Sequence, residues 1–144
     1  MPGNQIIPVE HTLPNKLLII PLLGKPIFPG IFTPMMMASG EDIAVVEKSL
    51  VSTGINLSSQ ILKVGHHGGT SASSPGFLEK VRPLVSIISV GEENYYGYPT
   101  ERTLSNLQAA GSSVYRTDTC GEIKITTDGL SFSISPEKSC ELPA

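Results

Sequence analysis

A basic excess, a long apolar run and a cysteine framework are all missing from this sequence. Ten Lys and Arg stand against 13 Asp and Glu, a formal charge of -3, so no net positive field draws the chain to a nucleic-acid backbone or an anionic membrane. A nucleic acid stays open only as a substrate held at a local site. The longest apolar run, residues 17–23, contains Pro21 and falls far short of the ~20 residues a membrane helix requires. No membrane span is expected. Cys120 and Cys140 are too few and too far apart for a disulfide framework or a CxxC metal knuckle. Both are expected as free thiols, Cys140 in a frayed tail. The start, Met1-Pro2-Gly3-Asn4, has no basic stretch followed by an apolar one, so nothing marks secretion and the expected compartment is the cytoplasm.

What is present is globular in character. With 144 residues, 40% hydrophobic and 16% charged, the chain has room for one ordinary domain or pieces of two larger ones. Proline divides it: seven of the 12 prolines lie at or before position 34, and the next is Pro75. In the first part, residues 16–22 have the continuous apolar look of a buried strand, with Pro21 favouring an edge or bulge. Pro26, Pro29 and Gly30 mark a turn, and residues 31–38 read as a second extended run. Ser39 and the acidic Glu41 and Asp42 open an amphipathic helix reaching Ser52, with Ile43, Val46 and Leu50 at helical spacing. Residues 53–58 form a small-residue junction. The expected division is therefore 1–52, a junction, 59–136 and a tail, 137–144.

Beyond the junction, extended and helical patterns alternate. Strands are expected at 61–64, 84–90, 113–117, 122–127 and 131–135, and helices at 74–81 and 100–110. Ser74 is placed to cap the first of these helices, with Pro75 at its first position. Gly111 suits the exit of the second. Asp128-Gly129 has the composition of a two-residue hairpin turn. The order implies an α/β layer, a mixed sheet with helices, closed by a hairpin.

The chemically loaded stretch is Gly65-His66-His67-Gly68-Gly69-Thr70, directly after the strand at 61–64. Adjacent imidazoles at the carboxyl end of a strand, flanked by glycines that admit a ligand, are a plausible metal site. From an extended backbone, two neighbouring side chains point opposite ways, so one His would face a metal while the other packs. A pair of loop histidines without a ligand is the alternative. Only His11 adds another imidazole, and a metal needs three or four ligands. Asp118 and Asp128 read as turn residues, Glu92 and Glu93 as a solvated loop. The loop 91–99 lies where α/β proteins place binding loops. Its Tyr96 and Tyr98, with Thr70, are the candidate substrate contacts, or else the tyrosines cover a rim. No GxSxG elbow and no P-loop lysine occur, so neither serine-hydrolase chemistry nor nucleotide binding is expected. Met35, Met36 and Met37 suit an adaptable peptide-binding surface or simple packing.

An ordered series of segments carries a resemblance. Ile61-Leu-Lys-Val-Gly-His-His-Gly-Gly69, Val85-Ser-Ile-Ile-Ser-Val-Gly91, Asn94-Tyr-Tyr-Gly-Tyr-Pro99, Tyr115-Arg-Thr-Asp118 and Gly121-Glu-Ile-Lys-Ile125 resemble the metallo-β-lactamase-like domain of the ComEC competence and DNA-internalisation family. That resemblance implies a metal-dependent phosphodiesterase acting on DNA, with zinc or manganese. By position His67 is the better candidate ligand and His66 the second. Residues 6–52, with Leu17-Leu-Ile-Ile-Pro-Leu22 and Pro26-Ile-Phe-Pro-Gly-Ile-Phe-Thr-Pro34, look like the start of the β-rich substrate-recognition domain of the Lon protease family. This second likeness implies binding of unfolded protein, without ATPase or protease residues.

The departures are as informative. The chain has no HxHxDH motif, and Tyr98 stands where the first family commonly has His in a Gly-His-Pro element. The expectation is a truncated metallo-β-lactamase-like half-domain joined to a Lon-like fragment, inactive as an isolated chain because most metal ligands are missing. Faces that absent partners would cover predict self-association.

Overall fold

The computed structural model describes residues 40–140. The expected β segments at 16–22 and 31–38, and His11, lie outside the described residues. Helix α1 (Gly40–Ser52) leads through residues 53–60 into β1 (Ile61–Lys63), a short helical turn (Gly65–Gly68) and α2 (Pro75–Val81). Next come β2 (Val85–Ile88), α3 (Glu101–Ala109), β3 (Ser113–Arg116), a single turn α4 (Thr117–Cys120) and the strands β4 (Ile123–Thr127) and β5 (Phe132–Pro136). The protein is mixed α/β, and its parallel and antiparallel pairs occupy separate sheets.

The parallel sheet has the order β1-β2-β3, with Ile61 opposite Val85 and Val85 opposite Ser113. All four residues of the central strand β2 are buried, as a parallel strand covered on both faces requires. Val64, Ala72, Leu78, Ile88, Val90, Leu107 and Val114 form the core. Leu78 and Val81 come from one face of α2, and Thr103 and Leu107 from one face of α3; these i,i+3 and i,i+4 spacings are what a helix laid on a sheet uses. Ile43 of α1 packs against the same cluster. The buried hydroxyls of Ser86 and Ser112 are satisfied by a mutual 2.7 Å hydrogen bond, which removes the cost of burying two lone hydroxyls.

Several local expectations need correction. Ser74 is the residue at the N-cap of α2, with Pro75 following, but its side chain makes no capping bond. The carboxylate of Glu47 accepts from the Ser73 and Ser74 amides instead. The hairpin loop has four residues, because Thr127 pairs with Phe132. Asp128 N donates to Ser131 O at 3.3 Å while Asp128 Oδ1 accepts from Leu130 N and Ser131 N at 2.9 and 2.6 Å, so the side chain reinforces a backbone turn whose central residues are Gly129 and Leu130 rather than Asp128 and Gly129. Cys120 and Cys140 are joined in a disulfide, with Cα atoms 4.9 Å apart, so they are not free thiols. Spacing hid the pairing because β5 carries the chain back along β4. Glu137 N then donates to Glu122 O and Lys138 N to Cys120 O, bringing the tail to the buried Cys120.

Candidate metal and substrate site

The site is assembled at the carboxyl ends of the three parallel strands. The turn Gly65–Gly68 follows β1, Ser89 and the loop 91–99 follow β2, and Thr117 and Asp118 follow β3. This is the edge where open parallel sheets bind ligands. The Val90 amide donates to Thr117 Oγ1, which in turn donates to Val90 O, both at 2.8 Å, tying the second crossing to the third.

The histidine turn is unusual in its backbone. His66 and His67 are both left-handed, with φ of 49° and 53°, and Ser73 shares the region at 56°. Each non-glycine residue held there costs of order 1–3 kcal/mol and persists only where surroundings over-determine it. The backbone is a tight turn rather than the extended chain expected from sequence, and Gly69 N closes it on His66 O at 2.9 Å. The two rings still part company: His67 is exposed and His66 half-buried.

His67 Nδ1 lies 2.6 Å from Ser89 O. A carbonyl can only accept, so a neutral His67 carries its proton on Nδ1 and leaves the Nε2 lone pair available. Metal-binding imidazoles are commonly oriented in this way. His66 points its Nδ1 into the protein, where that atom is buried with no hydrogen-bond partner among the described residues. Its ring sits 5.2 Å from the Tyr98 ring, and Tyr98 stacks on Tyr96 at 5.8 Å with 20° between planes. The result is a row of three rings, the inner contact tilted by 59° and the outer one stacked, whose outer member, Tyr96, is 80% exposed. Thr70 is also exposed.

Gly68 and Gly69 are required by what approaches them. A Cβ on Gly68, whose φ is +81°, would lie 2.6 Å from Pro99 Cβ, and one on Gly69 would lie 2.8 Å from His66 Nδ1. The Gly68 carbonyl accepts from Thr100 N and Thr100 Oγ1, and the Gly69 carbonyl accepts from Thr103 Oγ1 at 2.9 Å. Asn94 clips the tyrosine loop: its amide donates to Tyr98 O at 2.8 Å while its Oδ1 accepts from Tyr98 N. Sequence reading missed Asn94, Thr100, Thr103 and Glu47. An Asn four residues before Tyr98 in a Gly-rich loop is a faint signal for the first; a lone acid on an amphipathic helix gave none for the last.

The carboxylates named from sequence do not reach the histidines. Asp118 receives Arg116 Nε and Nη2 at 3.0 and 2.5 Å. Asp128 sits at the hairpin tip, where amide hydrogen bonds, chiefly from Ser131 and then Leu130, hold its pKa below the ordinary carboxylate value. Glu92 and Glu93 are exposed. Among the described residues no group of three or more His, Cys, Asp or Glu could hold a metal ion. The two imidazoles alone fall short of the three or four donors that zinc takes, so no catalytic step can be routed through a metal on these residues.

Comparison with known proteins agrees with two separate likenesses. The chain is 38% identical over 90 residues to the competence protein ComA of Neisseria gonorrhoeae, covering 62% of this chain and 13% of that protein. It is 35% identical over 78 residues to ComE operon protein 3 of Bacillus subtilis, covering 54% and 10% respectively. To the Lon protease of Treponema pallidum it is 41% identical over 52 residues, covering 36% and 6%. The chain thus spans 13% or less of the length of each of these relatives. No family model matches it, and no solved structure does. Part of the chain is similar to competence proteins and a shorter part to Lon protease. No helix of the described residues is long and apolar enough to cross a membrane.

Proposed function

We propose that the unit described here is part of a competence-type hydrolase domain of metallo-β-lactamase character, whose parent role is metal-dependent cleavage of DNA during uptake, and that this chain alone does not turn over substrate. The observation that carries the reading is the Nδ1 contact of His67 with Ser89 O, which leaves Nε2 free as one ligand of a zinc or manganese site. His66 is the second candidate donor. Tyr96 and Tyr98 offer stacking faces to an unpaired base, and Thr70 offers an exposed hydroxyl. Completion of the site requires donors from another chain. Isothermal titration with zinc and manganese, paired with hydrolysis of bis-p-nitrophenyl phosphate, tests this. The expected result is metal binding that His67→Ala abolishes, without hydrolysis above the free-metal rate. Binding unaffected by His67→Ala would sink the ligand assignment, and His67-dependent turnover would sink the claim of incompleteness.

A second reading rests on the Lon protease likeness. Here the first 52 residues act as a module that binds unfolded protein, through the region 31–38. Binding of a labelled unfolded casein to the full chain, lost in Phe32→Asp, is the expected outcome; equal binding by both chains would end it. Self-association is supported by Leu130, 99% exposed, and Leu84, 59% exposed, which share an open pocket of about 550 Å³ with Ile61 and Phe132.

A further inference from the structure

The segment 65–74 contains three non-glycine residues with left-handed backbones, His66, His67 and Ser73, and such a segment must be held from outside. Two elements hold it. From one side α3 and the residue before it take its carbonyl groups: Gly68 O by Thr100, Gly69 O by Thr103 and Ser73 O by Asn106. From the other side α1 holds both of its ends. Ile43 lies against Gly65, 3.6 Å from where a Cβ would be. Glu47, itself only 7% exposed, accepts from Ser73 N at 2.6 Å through Oε1 and from Ser74 N at 2.8 Å through Oε2.

A buried carboxylate taking two successive amides 26 and 27 residues away is a strong, directional tie, since charge-assisted bonds are the stronger class and leaving either partner unpaired in the interior is costly. It also spans the boundary expected from sequence, because α1 lies in the part that resembles Lon and the histidine turn in the part that resembles the competence family. We propose that Glu47 is a positioning residue for the histidine turn: by fixing Ser73 and Ser74 it keeps His66 and His67 left-handed and holds His67 Nδ1 on Ser89 O. It touches no substrate and acts only through the segment between. The consequence for metal binding rests on the reading of His67 as a ligand; the conformational claim does not.

The test uses the whole 144-residue chain, free of metal, with the His67 tautomer read from imidazole nitrogen shifts by NMR and the amide exchange of Ser73, Ser74, Ile88 and Leu107 measured alongside. In the unaltered chain a single Nδ1–H tautomer is expected. In Glu47→Gln, which offers an amide N–H where one backbone amide needs an acceptor, His67 should become a mixture of tautomers. Ser73 and Ser74 should lose exchange protection while Ile88 and Leu107 keep theirs. Glu47→Asp, which retains the charge on a shorter stem, should fall between the two. An unchanged His67 tautomer despite loss of protection at Ser73 and Ser74 would reduce Glu47 to a helix cap and overturn the proposal. Loss of all protection in both variants would also overturn it, by making Glu47 a residue of general stability.

Discussion

The parallel sheet and the terminal hairpin are held in different ways. Every residue of β2 is buried, and the core around it draws on α2, α3 and the strand ends. In the hairpin β4 shows only Ile123 partly covered, and Ile125 is 39% exposed. What the hairpin lacks in burial it receives from connectivity: the Cys120–Cys140 disulfide, the bonds from Glu137 and Lys138 back across the base, and the Asp128 turn at the tip. The difference explains where a site can be built. A strained pair of histidines persists beside a packed sheet, where surrounding contacts over-determine the backbone; an exposed two-stranded ribbon, marginal by itself in water, has no such reserve.

The sharpest way to break this contrast is to empty the core. Leu107→Ala removes a fully buried side chain and should cost about 2–5 kcal/mol in chemical denaturation, whereas Ile125→Ala in the hairpin should stay within about 1 kcal/mol. Equal losses would show that the hairpin shares the core's cooperativity. Next in size is the disulfide. Closing a separation of 20 residues corresponds to about 3 kcal/mol in the chain-entropy account. Cys140→Ser should therefore strip exchange protection from residues 123–136 while leaving 85–88 protected. Uniform loss across both regions would erase the distinction. The same result is expected on treatment with a thiol reductant, which opens the bridge by exchange.

Smaller effects refine the picture within each region. Thr103→Val keeps the shape of a fully buried side chain but deprives the Gly69 carbonyl of its 2.9 Å side-chain donor, while Ala72 N still donates to it at 3.0 Å. The cost should be about 0.5–1.5 kcal/mol, and the histidine signals should move with it. Silence at His66 and His67 would mean that α3 does not brace the turn. The smallest effect concerns pH. The folded Asp128 pKa is lowered by amides that only the ionised form satisfies fully. Its contribution is thus present above the unfolded value and is lost as pH falls through the folded one. A carboxyl carbon titration should place its midpoint below that of an unfolded peptide, and Ser131→Ala, which removes the hydroxyl bond but keeps both amides, should move the midpoint only part of the way back.

Much of the fold was legible because its signals are local. The alternation of strand and helix from 61 onward, Pro75 at a helix start and Gly111 at a helix exit, with φ of 73°, each follow from residues within a few positions of one another. The site was legible only as a list of groups. His66 and His67 were evident from composition, but an extended backbone was the natural assumption after a strand, and nothing in the run Gly65 to Gly69 signals two left-handed histidines. Asn94 and Tyr98 stand four residues apart in the same loop, and nothing in the sequence makes the clip between them visible.

By itself the sequence determined the α/β order, the double likeness to competence and Lon proteins, the absence of an HxHxDH motif and the presence of the adjacent His66 and His67 directly after a strand. Tertiary structure alone decided the orientation of His67 by Ser89, 22 residues away, the capture of Ser73 and Ser74 by Glu47, and the pairing of Cys120 with Cys140. The physical reason is range. Propensity, capping and turn chemistry act over a few residues, whereas a buried carboxylate, a fixed tautomer or a disulfide exists only once packing has brought distant segments together.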